Sequence, residues 1–486
     1  MTLKAELKRI RAKYLPYSHW GVLLLAAYVR LAGLGYPSML IFDETYYVKD
    51  AWTLTHLGYE AKWPTMADSM FNLGNVPAFT TDASFVVHPP LGKLLIGLGM
   101  NLFGGGNAWG WRIASAVFGI GLVWLVILVA RQLLGSRNWA SVAGLLVAID
   151  GQALVLSRTA LLDGFLAFFV LLAFYSLLRD REHARVQYTL ARNGAGTWLL
   201  WNRPWLLATS VALGLATSIK WSGLYFAAAF GLYIVVSEVL LRLRYGLRPS
   251  VWRGVALPGI VVFVQMFPLY AVSYISTWTG WLTTKGGWDR SSDSNPFIAL
   301  FNYHRDAYNF HVNLRTPHSY QSNPLEWLYL GRPTSFYYSS LPDGPKCHFA
   351  NGCSSAITAL GNPLIWWGAL AALLYLTYHF ARYRNRTEGL ILLGFAAGWT
   401  PWLLYLNRTV FSFYGVVFLP FSVFALVYVL RSLWHRVGSN GFSWRPWIRA
   451  YLWLVAAFGL YFLNLAWGFW TPYFYWLAHM WFPSWI

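Results

Sequence analysis

Long apolar runs recur along this chain, and they decide what it can fold into before any motif is considered. Stretches such as "GVLLLAAYVRLAGLGY" and "ASAVFGIGLVWLVILVA" approach the ~20 apolar residues that carry a helix across a bilayer. Hydrophobic residues are 57% of the 486 and charged residues 11%, where a soluble chain carries roughly a quarter as charges. The fold class expected is therefore an all-α polytopic membrane protein, a single integral-membrane domain over 1–486. About 11 spans are expected, at 17–35, 110–130, 139–155, 160–178, 204–219, 221–241, 254–276, 362–380, 388–406, 410–430 and 450–469. The N-terminal segment is basic, then apolar, with no small-residue cleavage site, so it reads as an uncleaved first helix. The 29 Trp, 30 Tyr and 32 Phe suit aromatic belts at two water interfaces.

The net charge of +19 would suit nucleic acid, but its placement does not. Basic residues cluster in short tracts between apolar runs, at 4–13, 179–203, 242–253, 382–386 and 431–449, which is the positive-inside pattern. With the N-terminus cytoplasmic, 23 of the 37 Lys and Arg face the cytoplasm against 5 of the 18 acids, which supports that orientation. The charge implies contact with membrane lipid and no nucleic-acid partner. Two long loops, 36–109 and 277–361, then lie outside. Long loops in compact proteins usually carry function. The first contains "LGKLLIGLGMNLFG", too short to span and expected at the interface. The second contains Cys347 and Cys353 in "KCHFANGCSS", whose spacing in an oxidising compartment favours a small disulfide loop, with two free thiols as the alternative.

The charges that remain outside the basic tracts carry the chemistry. Arg30, Arg112, Arg158, Lys220 and Arg408 come from five separate outer turns and gather at one membrane surface. Each needs a partner or water near hydrocarbon. Singly, each could pair with an acid such as Asp150 or Asp163; together they suggest a basin for an anion at the lipid surface. On the same face lie "IFDETYYVKDAW", with Asp43 and Glu44, and "FVVHPPLGKLL", with His88 and Lys93. Cations beside a carboxylate suggest group transfer from a lipid phosphate. A glycosidase needs two carboxyl groups because its leaving alkoxide must be protonated. A departing phosphate is already a stable anion, so one carboxylate base and several cations suffice. The surrounding cations should lower the pKa of Asp43. No metal is expected: no Asp-x-Asp occurs, and His304, His311 and His318 recur every seven residues, ~10.5 Å apart on a helix, too far to share one ion. A transporter would place ionisable groups near mid-membrane, and the apolar interiors here are nearly free of acids.

In order along the chain, "FDETYYVKDAW", "VHPPLGK", "SRTALLDGFLAFF", "SIKWSGLY", "HSYQSNPLEWLYLGRPTSFYY" and "NRTVFSFYGVVFLPF" resemble the bacterial, particularly actinobacterial, protein O-mannosyltransferases of the GT-C glycosyltransferase superfamily. The resemblance implies a GT-C fold in the plasma membrane with an extracytoplasmic active site. It implies transfer of mannose, with inversion, from polyprenyl phosphate mannose to Ser or Thr hydroxyls of secreted proteins emerging from the Sec translocon, with no cofactor. By motif, Asp43 is the base, Glu44 positions the acceptor and Arg30 supports the pair. Arg408 and Arg112, then His88, Lys93, Arg158 and Lys220, are candidates for the donor phosphate. The β-trefoil MIR domain of eukaryotic relatives would not fit the ~85-residue second loop beside that loop's own core. Transfer of another sugar to lipid or glycan is the nearest alternative, because one scaffold hosts many substrates.

Overall fold

The computed structural model describes residues 17–195, 199–246, 256–349, 351–437 and 441–486. The basic tract at 4–13 and the second half of the 242–253 tract lie outside the described residues. The helices used below are α1 (Ser18–Leu31), α2 (Glu44–Leu57), α3 (Leu91–Phe103), α4 (Ala108–Leu134), α5 (Arg137–Ile149), α6 (Gly151–Leu156), α7 (Asp163–Arg192), α8 (Pro204–Thr217) and α9 (Gly223–Arg244). After them come α10 (Leu257–Ser276), α11 (Pro296–Asn313), α12 (Pro363–Tyr383), α13 (Arg386–Trp399), α14 (Leu419–His435) and α15 (Arg445–Tyr461). Each expected span contains a helix. Among the described residues, four (α4, α9, α10 and α12) are long and apolar enough to cross a membrane by length and composition.

Local sequence explains where these helices begin. Asn295, Asn362 and Asn385 accept hydrogen bonds from the first-turn amides of α11, α12 and α13. In α11 and α12 a proline follows at the first helical position, where no amide partner is missed. α4 buries residues on all sides, as an apolar helix surrounded by others must. It packs on α1, α5 and α7, and α7 in turn on α8. The middle of α7 meets α9 and the start of α8 in a buried charge network. There Asp180 pairs with Arg181 and Arg203, and Glu238 accepts from both arginines at 3.4 Å.

The all-α expectation needs one correction. The second long loop ends in a β-hairpin, β1 (Thr334–Leu341) and β2 (Cys353–Ala359), joined by β3 (Thr471–Pro472) in the order β1-β2-β3. The signal was present in "TSFYYSSL" and "CSSAITA", rich in aromatic, β-branched and hydroxyl residues, but the helical repeats on either side dominated it. Cys347 and Cys353 form a disulfide that closes the hairpin turn.

The two long loops pack on each other. Gly58, with φ +85°, closes α2 in a conformation favoured by glycine, and a side chain there would press on the Gly280 carbonyl. Tyr303 of α11 donates to the Val86 carbonyl at 2.6 Å and accepts from the Val86 amide at 3.2 Å. This fixes "VVHPP" of the first loop against α11 of the second.

Candidate active site

The site is built around the turn before α2. Phe42 has φ +48°, an unfavourable conformation for a bulky residue. Aromatic packing holds it there. Its ring stacks on Phe336 at 4.6 Å and meets Phe411, Phe413 and His318 edge-on. This turn sends the two adjacent acids to different places.

Glu44 is fully buried and fully engaged. Oε1 accepts from Arg112 Nε (2.8 Å) and the Ala160 amide (2.9 Å); Oε2 accepts from Arg112 Nη2 (2.8 Å) and the Ile41 amide (3.1 Å). Arg112 in turn donates to the carbonyls of Leu34, Pro37 and Met39. With the two bonds to Glu44, these occupy the five N–H donors of a guanidinium. Both expectations for this pair are therefore corrected. Glu44 does not face an acceptor and Arg112 has no donor left for a phosphate; together they tie the first loop to α4 and to the turn before α7.

Three further cations also leave the phosphate site. Arg158 donates to the carbonyls of Val29, Arg30, Ala32 and Gly33, capping the C-terminus of α1, where cations are favoured. Arg30 does not support the acidic pair; it donates to Val147 and Ala148 near the end of α5. Lys93 is buried against Glu60 and donates to the His88 carbonyl at 3.0 Å. Helix ends and buried acids offered these cations partners that spacing along the chain does not display.

Asp43, by contrast, is half-buried, and its carboxylate makes no capping bond to α2. Burial pushes its pKa up to about 6; Lys220 opposes that rise and Asp163 adds to it. The expected lowering is thus corrected, because desolvation outweighs the nearby cation. A carboxylate with that pKa is ionised at neutral pH and still basic enough to accept a proton.

A cavity of about 190 Å³ has His88, Asp163, Lys220, His311, Arg408 and Tyr414 among its lining, and two of these, Lys220 and Asp163, act electrostatically on Asp43. Lys220 sits in the turn between α8 and α9. It donates to Asp163 at 2.8 Å and lies 4.7 Å from the Tyr414 ring centroid. Burial alone would lower its pKa, but Asp163 and the other groups around it raise the net value, so it carries charge. Arg408 donates to His311 Nδ1 at 3.1 Å, and its buried Nε has no partner among the described residues. His311 accepts from Arg408 and donates through Nε2 to the Val87 carbonyl at 2.9 Å. Burial lowers its pKa to about 4, leaving it neutral. His88 stands 5.3 Å from His311 and is likewise kept neutral, by burial first and then by Lys220. The same cavity is also lined by the apolar side chains of Leu224, Phe226 and Val417.

Of the residues named from sequence, the structure brings Asp43, His88, Lys220 and Arg408 together. Asp163 and His311 join them. The first was read only as an ion-pair partner and the second only as one of three histidines too far apart to share a metal ion. The seven-residue histidine spacing was the visible signal for His311: His304 turns to Tyr274 Oη at 2.6 Å, His311 to Arg408, and His318 to Phe42 and Phe411. Among the described residues no three His, Cys, Asp or Glu side chains gather as metal ligands.

A helical membrane scaffold with a cation-lined cavity near a carboxylate that has no ion-pair partner among the described residues defines a class, and structural comparison gives that class its fold. The chain superimposes on the S. cerevisiae protein O-mannosyltransferase Pmt1-Pmt2 complex bound to the sugar donor with TM-score 0.72 at 16% identity, over 100% of this chain and 93% of that one. This is the GT-C fold. Residues 103–280 match the family described as dolichyl-phosphate-mannose-protein mannosyltransferase. The polyprenol-phosphate-mannose–protein mannosyltransferase of Corynebacterium glutamicum is 32% identical, covering 96% of this chain and 93% of that protein. Its namesake in Mycolicibacterium smegmatis is 33% identical, covering 86% and 82%. The chain belongs to this mannosyltransferase family.

Proposed function

We propose that the protein transfers mannose from polyprenyl phosphate mannose to Ser or Thr hydroxyls of secreted proteins. The observation that carries this reading is the pairing of an unengaged carboxylate, Asp43, with a cavity whose cations retain free donors. The sugar phosphate sits with its phosphate toward Lys220 and Arg408, and the prenyl chain lies against the apolar lining residues Leu224, Phe226 and Val417. The acceptor oxygen attacks the anomeric carbon from the side opposite the phosphate. The carbon–oxygen bond to phosphate breaks, polyprenyl phosphate leaves with both electrons, and the hydroxyl proton passes to Asp43. The configuration inverts. Lys220 and Arg408 stabilise charge that grows on the leaving phosphate, so the step requires neither cofactor nor metal.

The chain crosses the plasma membrane about 11 times in this reading, with the basic tracts cytoplasmic and the site outside, where polypeptides leaving the Sec translocon reach it. The test supplies purified protein with polyprenyl phosphate mannose and a Ser/Thr peptide, with and without EDTA. Mannose on the peptide in both conditions is expected. Mannose on lipid or glycan instead, or activity lost to EDTA and restored by a divalent ion, would overturn the corresponding part of the reading.

A further inference from the structure

The sheet that corrects the all-α expectation has β1 as an outer strand, and the inner part of β1 reaches the residue before Asp43. β1 pairs with β2 along one side, from Thr334↔Ala359 to Leu341↔Cys353, and it is the outer strand of the order β1-β2-β3. Alternate residues of an edge strand turn their N–H and C=O groups outward. Natural edge strands are usually protected by Lys, Pro, inward charges or a covering segment. "TSFYYSSL" contains no charge and no proline. The outer half of β1 is also accessible, with Tyr338 45% exposed and Ser340 exposed. The inner half is not: Thr334 and Phe336 are buried, and Phe336 lies flat on Phe42, the residue before Asp43. The register shifts between Ser335 and Tyr337. Such a bulge re-aims a side chain, and here Phe336 is the residue that meets Phe42.

We propose that the acceptor polypeptide docks in extended form as an added strand on the free edge of β1, which delivers its hydroxyl-bearing residue to Asp43. This rests on the transfer reading above, since it is the acceptor of that reaction that occupies the edge. Eight residues of strand span roughly 26 Å, enough to run from the accessible half at Tyr338 and Ser340 to the Phe336–Phe42 contact. Main-chain hydrogen bonds supply affinity without demanding particular side chains, which suits an enzyme whose acceptors share only a hydroxyl. The disulfide at the hairpin turn holds β1 and β2 together at the end where an incoming chain would first pair.

The test uses the full-length protein and a set of threonine peptides, each N-methylated at one successive backbone position, with peptide binding and mannosyl transfer both measured. N-methylation removes one amide donor and leaves the side chains intact. On one side of the threonine, binding should fall at least about tenfold at every second position and hardly change in between, because only alternate amides face a neighbouring strand. A flat or non-alternating profile, or no peptide binding, would overturn the docking. Alternating loss without any mannose transferred would overturn the transfer reading and leave the edge as a peptide site. A mannosylated parent peptide with a flat profile would do the reverse.

Discussion

The cations expected from sequence to gather at one membrane surface divide into two groups that look alike in sequence and differ in structure. Arg30, Arg112, Arg158 and Lys93 point inward to helix ends, loop carbonyls and buried acids. Lys220 and Arg408 line a cavity and keep donors unengaged. Arg112 and Arg408 make the contrast sharpest: the first uses all five donors on protein atoms, and the second has one described bond, to a neutral histidine. Positive charge near a membrane surface therefore says little about ligand binding until the donors are counted. The neighbouring acids repeat the lesson, since Glu44 accepts four hydrogen bonds while the Asp43 carboxylate does not even cap its own helix.

The largest effect expected from this division is at Arg112. Arg112→Ala leaves Glu44 buried without its partner, and breaking such a pair costs about 3–5 kcal/mol. Thermal unfolding should show a large loss of stability, with donor affinity normal in whatever fraction stays folded. A stable Arg112→Ala protein that no longer binds donor would put this arginine back in the phosphate site.

Arg408→Ala should behave in the opposite way. Its fold should survive, and donor affinity should drop by about 10- to 100-fold, in keeping with loss of a charge-assisted bond. Arg408→Lys should restore only part of that if the phosphate is held by two parallel bonds. Unchanged donor binding in Arg408→Ala would remove the distinction between the two groups.

A smaller effect sharpens the electrostatics around Asp43. A base works when deprotonated, so kcat/KM should fall as pH drops through about 6, the raised pKa of Asp43. Asp163 contributes to that rise, so Asp163→Asn should move the acid limb to lower pH. Movement to higher pH, or none, would show that another group controls the limb.

Much of this was legible in the chain. Hydrophobic runs marked the helices because period and length need no partner to be read, and Asp43, Lys220 and Arg408 could be placed at one surface by topology alone. Which cations were already occupied could not be read. The partners of Arg158 are backbone carbonyls, and those of Lys93 and Arg112 include acids 33 and 68 residues away. The pKa of Asp43 was misjudged for the same reason: sequence displays charges, whereas burial appears only in the fold. β1 was hidden because an eight-residue strand leaves a weak pattern between long helices.

The central claim is that Asp43 accepts the acceptor's proton while Glu44 beside it holds the structure. It is tested most directly by single-turnover mannose transfer with Asp43→Asn, on protein shown to be folded and to bind polyprenyl phosphate mannose. Asparagine keeps the shape and removes the basic oxygen. The account predicts transfer slowed by ~10²–10⁴-fold, with donor affinity retained and no fall in melting temperature, since the substitution removes a charge whose burial is unfavourable. Transfer at near wild-type rate by that folded, donor-bound variant would contradict it.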